Sequence, residues 1–130
     1  MIKVSRSADM AIRMLVYLAS EGRPYTMPVL SEKLGIPYHN LTKLVQSLSR
    51  NGIVQTRQGK VGGISLISDP KTTSLRQVVD VIDGPARLAE CLTVEGDCPV
   101  ECGCKLKKVF SKLQTSIESM FEDVKLSQLV

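Results

Sequence analysis

The sequence predicts a mainly α fold with a small β-hairpin wing: a winged helix-turn-helix followed by one long C-terminal helix suited to dimerisation. Three observations carry this expectation. Two short amphipathic segments are joined only by Gly35-Ile36-Pro37; two alternating, strand-like runs enclose the basic, glycine-rich stretch 57–62; and apolar residues recur along one side of the chain from 105 to about 124. Short helices linked by a tight glycine-containing turn form a helix-turn-helix, and a hairpin directly after them adds the wing.

Each element has a local reason. Over residues 5–21, Ala8, Ala11, Ile12, Leu15, Val16, Leu18 and Ala19 recur at helical spacing, Ser5 or Ser7 suits the cap, and Gly22 with Pro24 ends the run. A second helix is predicted from Met27 to Leu34, with Thr26 as cap, Pro28 in the first turn where its missing N–H costs nothing, and Gly35 as the stop. A third runs from Tyr38 to Arg50, with Leu41, Leu44, Val45 and Leu48 inward. Residues 53–56 and 63–67 alternate like strands around Arg57-Gln58-Gly59-Lys60-Val61-Gly62. Asp69-Pro70 ends the wing, and 74–83 reads as a helix striped by Leu75, Val78, Val79 and Ile82 and broken at Gly84-Pro85. Segment 86–104 lacks periodicity. Beyond it, Leu106, Val109, Phe110, Leu113, Ile117, Met120, Phe121 and Val124 alternate by threes and fours, giving a one-sided helix near 30 Å long at ~1.5 Å per residue. A domain this small has little core to cover such a stripe. Pairing with a second copy, together with packing on the first helix, is the expected solution.

Composition bounds the function. With 130 residues, 43% hydrophobic and 23% charged, the chain suits one domain or a compact domain with an arm, and leaves no room for a multidomain enzyme. No apolar run approaches the ~20 residues that cross a bilayer. Lys3, Arg6, Asp9 and Arg13 interrupt the N-terminal apolar residues, so no signal peptide is expected and the protein is placed in the cytoplasm. Charge is uneven: residues 1–70 hold nine Lys and Arg against four Asp and Glu, a balance of +5, whereas 71–130 hold eight against nine, a balance of −1. This divides the chain into a polyanion-binding half, 1–70, and a sensing and assembly half, 71–130, with a loop at 86–104 and a dimerisation helix at 105–125.

In such a fold the third helix enters the major groove of double-stranded DNA and the wing tip reaches phosphates or the minor groove. The residues expected to touch DNA are Tyr38, His39, Asn40, Thr42, Lys43 and Gln46, with Arg57 and Lys60 from the wing. Gly59-Lys60-Val61-Gly62-Gly63 is a poor nucleotide loop, because it lies inside a hairpin and misses the required spacing before a helix.

All four cysteines, Cys91, Cys98, Cys102 and Cys104, lie in one 14-residue window spaced C-x6-C-x3-C-x-C. Dense cysteines in a loop of an intracellular protein point to metal binding or redox chemistry. Three chemistries compete: an iron–sulfur cluster on Cys91, Cys98 and Cys104 ranks first, a thiol–disulfide switch second, and zinc third, since the spacing as a whole is not the paired pattern of structural zinc sites, although Cys102 and Cys104 could chelate. Cys104 falls at the start of the long helix, where the dipole and Lys105, Lys107 and Lys108 offset thiolate charge. Paired acid–base groups are missing and the single histidine is remote, so an enzyme is not expected.

Ser7-Ala8-Asp9-Met10-Ala11-Ile12-Arg13, the run Leu48-Ser49-Arg50-Asn51-Gly52-Ile53-Val54 and the wing Gly59-Lys60-Val61-Gly62-Gly63 resemble the Rrf-type winged-helix transcription regulators, closest to the NsrR-like members. The likeness continues through 74–79, 104–109 and 126–129. It implies a homodimeric regulator, a repressor by analogy, whose cysteine loop holds a two-iron or four-iron cluster and senses nitric oxide, redox state or iron. By position the ligands are Cys91, Cys98 and Cys104, and NsrR-like members complete the set with an aspartate of helix one from the other subunit, where Asp9 stands. IscR-like members use a histidine three residues after the last cysteine, and Lys107 occupies that position. Cys102 is additional, either as a replacement ligand or as a redox thiol. The family also contains cluster-free thiol switches, which is the alternative reading.

Overall fold

The computed structural model describes residues 3–85, 87–92 and 103–130. Cys98 and Cys102, and most of the predicted 86–104 loop, lie outside the described residues. Helix α1 (Arg6–Glu21) starts where the Ser5 hydroxyl accepts the Ala8 N–H, and ends at Gly22 in the left-handed conformation. Helix α2 (Met27–Leu34) follows Thr26, which caps by backbone geometry without a side-chain bond, and has Pro28 in its first turn. In the turn before helix α3 (Tyr38–Arg50), the Ser31 hydroxyl donates to the Ile36 carbonyl at 2.6 Å while the Ile36 side chain is buried. The turn is therefore held at both its polar and its apolar end.

Strands β1 (Val54–Arg57) and β2 (Gly63–Leu66) pair antiparallel, Val54 opposite Leu66 and Arg57 opposite Gly63. The backbone of Tyr25 adds a third rung that the alternation pattern does not reveal: its N–H and C=O both bond Ile64, at 3.0 and 2.7 Å. This rung explains Gly63, whose φ is 134° and where a Cβ would sit 2.7 Å from the Tyr25 carbonyl oxygen. Ile67, expected in the strand, lies past its end and is exposed.

Helix α4 (Leu75–Asp83) opens with a capping box, the Ser74 hydroxyl accepting the Gln77 N–H and the Gln77 side chain accepting the Ser74 N–H. Beyond a 3-10 turn at Glu90–Leu92, helix α5 (Lys105–Asp123) packs on α4 and on that turn. Inside the chain its neighbour is thus α4, whereas α1 had been expected. Of the segment from α5 onward, it is the last 3-10 turn, Leu126–Leu129, that packs on α1. That tail is stitched by Leu75 N–H to the Val124 carbonyl, Leu126 N–H to the Thr73 carbonyl and Ser127 N–H to the Pro70 carbonyl, at 2.9, 3.0 and 3.0 Å. One apolar core joins Met14, Leu15 and Leu18 of α1, Leu41 and Leu48 of α3, Ile64 of β2, Val78 of α4 and Leu126 of the tail. Among the described residues, no helix is long and apolar enough to cross a membrane.

Candidate nucleic-acid interface and cysteine loop

Helix α3 divides cleanly. Leu41, Leu44, Val45 and Leu48 are buried, which turns Tyr38, His39, Lys43 and Gln46 outward as exposed side chains, with Asn40 and Thr42 half-exposed beside them. The amphipathic period does this: a helix that spends every third or fourth residue on the core presents the rest to solvent. The Thr42 hydroxyl donates to the Tyr38 carbonyl at 3.0 Å, so part of its hydrogen-bonding capacity serves the helix itself. The sequence periodicity gave no sign of that bond.

The wing follows α3 directly, and α3 packs against β1. Arg57 closes β1 and Lys60 sits in the turn, both exposed, with Val61 beside them 90% exposed. The Gly62 N–H bonds the Gly59 carbonyl at 3.0 Å, and a Cβ on Gly62 would collide with the Arg57 carbonyl oxygen. Arg57 and Lys60 are therefore presented on a short, closed turn. The recognition helix and the wing form one basic, solvent-facing surface built on the apolar core, and no predicted DNA-facing side chain is buried in it.

In the second half of the chain, Cys91 lies in the 3-10 turn and Cys104 immediately before α5, both free thiols and half-exposed. Cys104 is the N-cap of α5, its Sγ accepting the Lys107 N–H at 3.4 Å. A sulfur there faces the positive end of the helix dipole, with Lys105 and Lys108 nearby in sequence. Asp9 lies in the first turn of α1, its carboxylate paired with Arg13 at 2.9 Å and still half-exposed. It lines an open groove with Ile12, Arg13, Val16, Tyr17 and Leu129. No group of three or more His, Cys, Asp and Glu side chains comes together among the described residues. The described donors, two accessible thiols of which one caps a helix, suit ligation by soft thiolates.

Sequence reasoning missed two features near this loop. The Ser5 N–H and hydroxyl both donate to the Asp83 carboxylate, at 3.4 and 2.5 Å, tying the start of α1 to the end of α4 where the chain turns toward the loop. The other feature is polar and buried. Gln114 of α5 accepts the Leu88 N–H at 2.7 Å and donates to Glu118 at 2.7 Å; Glu118 in turn receives Arg76 of α4 at 3.2 Å and Arg87 at 3.4 Å. Asp80 shares Arg76 at 3.6 Å, and partial burial pushes its carboxyl above the ordinary 3.8, with Arg76 opposing.

Comparison with known proteins agrees with this geometry. Residues 4–130 match the family model Rrf2, described as an iron-dependent transcriptional regulator. The HTH-type transcriptional repressor NsrR of Streptomyces coelicolor is 26% identical over 134 residues, covering 99% of this chain and 88% of the relative. An HTH-type transcriptional regulator NsrR of Shouchella clausii is also 26% identical, with 99% and 89% covered. Among solved structures, CymR, the global cysteine regulator of B. subtilis, superposes with a TM-score of 0.80 at 21% identity, covering 99% of this chain and 96% of that one. T. potens IscR superposes with a TM-score of 0.74 at 22% identity, covering 98% and 85%.

Proposed function

The chain belongs to the Rrf2 family of transcriptional regulators, and from that premise we propose that it is a homodimeric DNA-binding repressor whose cysteine loop senses nitric oxide, redox state or iron through an iron–sulfur cluster. The observation that carries this reading is the pairing of an exposed, basic recognition helix and wing with a thiol, Cys104, held at a helix N-terminus in the other half of the chain. Cys91, Cys98 and Cys104 would hold the cluster, with the partner subunit's Asp9 as fourth ligand. When bound, the cluster supplies a redox-active iron centre open to reaction with nitric oxide or oxygen.

What the chain's own residues do follows from their placement. Lys43, Arg57 and Lys60 draw the protein to phosphates, and Gln46, Asn40 and Thr42 meet base edges from the same helix. His39 and Tyr38, near the helix start, contact the backbone. Residues 1–70 act as the DNA-binding unit and 71–130 as the sensing and assembly unit. The exposed row Leu106, Val109, Leu113 and Met120 on α5 supports pairing of two copies. The two recognition helices would then meet half-sites about one helical turn apart.

The test is anaerobic purification with a visible spectrum, iron and sulfide assays, and operator binding before and after nitric oxide. A coloured protein that bleaches while its DNA affinity changes is the expected result. A colourless protein after anaerobic reconstitution that still binds DNA, and loses binding on oxidation, would replace the cluster with a thiol switch. Cys102 and Cys104 would then be the residues to substitute.

A further inference from the structure

Gln114 is the one buried residue of α5 among those described, 8% exposed, on a helix whose large apolar side chains Leu106, Val109, Leu113 and Met120 stay in solvent. An amide buried where a leucine would fit needs a reason, because its polar atoms must be matched. Its Oε1 accepts the Leu88 N–H at 2.7 Å and its Nε2 donates to Glu118 Oε1 at 2.7 Å. Glu118 then receives Arg76 of α4 on Oε2 at 3.2 Å and Arg87 on Oε1 at 3.4 Å. Three pieces of the molecule meet at this junction: α4, α5, and the limb 87–92 that leads to Cys91. Leu88 is three residues before Cys91, and the intervening turn is closed by the Leu92 N–H on the Ala89 carbonyl at 3.1 Å.

We propose that Gln114 and Glu118 are positioning residues that fix the first limb of the cysteine loop on α5, set the place of Cys91, and pass the state of the loop to α4 through Arg76. The positioning half stands on geometry alone; the transmission half rests on the sensing function proposed above. Apolar packing would hold the limb without specifying its register, whereas an amide that accepts one named N–H selects a single placement. From α4 the route to DNA is short: α4 packs on both α1 and α3, with Val78 fully buried in the shared core. A shift of the limb therefore displaces a helix that lies against the recognition helix.

The experiment uses the full chain in three forms: wild type, Gln114→Leu, and the exchange Gln114→Glu with Glu118→Gln. The exchange keeps an acceptor for Leu88 and restores the link between positions 114 and 118 with its donor reversed. Three quantities are read. These are hydrogen–deuterium exchange of the Leu88 amide, the alkylation rate of Cys91 relative to Cys104 by iodoacetamide in the reduced, metal-free protein, and the ratio of operator affinities before and after loop modification. Nitric oxide is the modifying probe for a coloured protein and diamide for a colourless one.

In Gln114→Leu, Leu88 exchange is expected to rise by roughly 2–10-fold, the factor one ordinary hydrogen bond is worth, and Cys91 to change in reactivity relative to Cys104. The affinity ratio, about 5–150-fold for a working coupling, is expected to collapse toward one while the unmodified protein still binds its operator. The exchange variant is expected to return Leu88 exchange and Cys91 reactivity toward wild type; because Glu118→Gln removes the carboxylate that receives Arg76, its affinity ratio is expected to stay low. Wild-type exchange and Cys91 reactivity in Gln114→Leu would overturn the positioning role, and a released limb with an unchanged affinity ratio would overturn the transmission. A wild-type protein whose operator affinity ignores both probes would instead defeat the sensing function, leaving the first two readings to decide the positioning role.

Discussion

Lys43 leaves α3 on the side opposite Leu41, Leu44 and Leu48, with no acidic partner on its own helix, so its ammonium is available to a phosphate. Replacing it with alanine is expected to weaken binding evenly across DNA sequences and to lower the slope of log affinity against log salt by about 1. Gln46→Ala should behave differently, relaxing discrimination at one base pair by ~1–3 kcal/mol with the salt slope preserved. Titrations against two operator variants at three salt concentrations separate the two behaviours, and a Lys43→Ala protein with the wild-type slope would remove that lysine from the interface. The outward position of Lys43 was legible in the sequence because helical period alone sorts inside from outside. Gln114 was illegible for the same reason: periodicity assigns an amide to solvent, and only the packed limb 87–92 makes burial favourable.

The same limit acts at the scale of elements. Read from the sequence, α5 carries one apolar stripe; in the structure that stripe is two adjoining faces. Phe110, Ile117 and Phe121 are half-buried on the side of Gln114, whereas Leu106, Val109, Leu113 and Met120 remain exposed. Three-and-four spacing cannot separate faces only a fraction of a turn apart. Where α4 meets α5, Asp80 is pushed up by desolvation more than Arg76 holds it down. An acid whose folded value lies above its unfolded one is penalised in the folded state once ionised. Its contribution is therefore most favourable below the unfolded value and is lost as pH rises through the folded one. Asp80→Asn removes that penalty, and Arg76 keeps Glu118 as partner. The variant is expected to melt at or slightly above wild type at pH 7, with the difference closing as the pH falls below 3.8. Thermal unfolding across that range checks the sign; a variant clearly less stable at pH 7 would mean that the ion pair with Arg76 outweighs desolvation.

Across the whole molecule, the two ends of α5 are held differently. Its C-terminal end runs into the tail, where Leu126 is fully buried in the core and three backbone bonds fasten residues 124–127 to 70–75. Periodicity gave Leu126 no place in the core, since it follows the long helix and its backbone partner, Thr73, belongs to no local pattern. The N-terminal end carries Cys104, next to the loop. Anchored at one end and bearing Cys104 at the other, α5 would, under the proposed sensing function, turn a change at the loop into a change of angle against whatever covers its exposed face. That face, with Met120 68% and Leu106 58% exposed, is the surface for a second copy in the proposed dimer. Placing like charges there with Leu113→Glu and Met120→Glu costs the proposed dimer its apolar contact, and neither residue is buried in the single chain, so the fold should survive. Light scattering is expected to show a dimer for wild type and a monomer for the double variant, with unchanged far-ultraviolet circular dichroism. Operator affinity should fall sharply, since one subunit then reaches one half-site. A double variant that stays dimeric would move the interface off this face of α5 and leave its exposed leucines and methionine without a partner of the same chain.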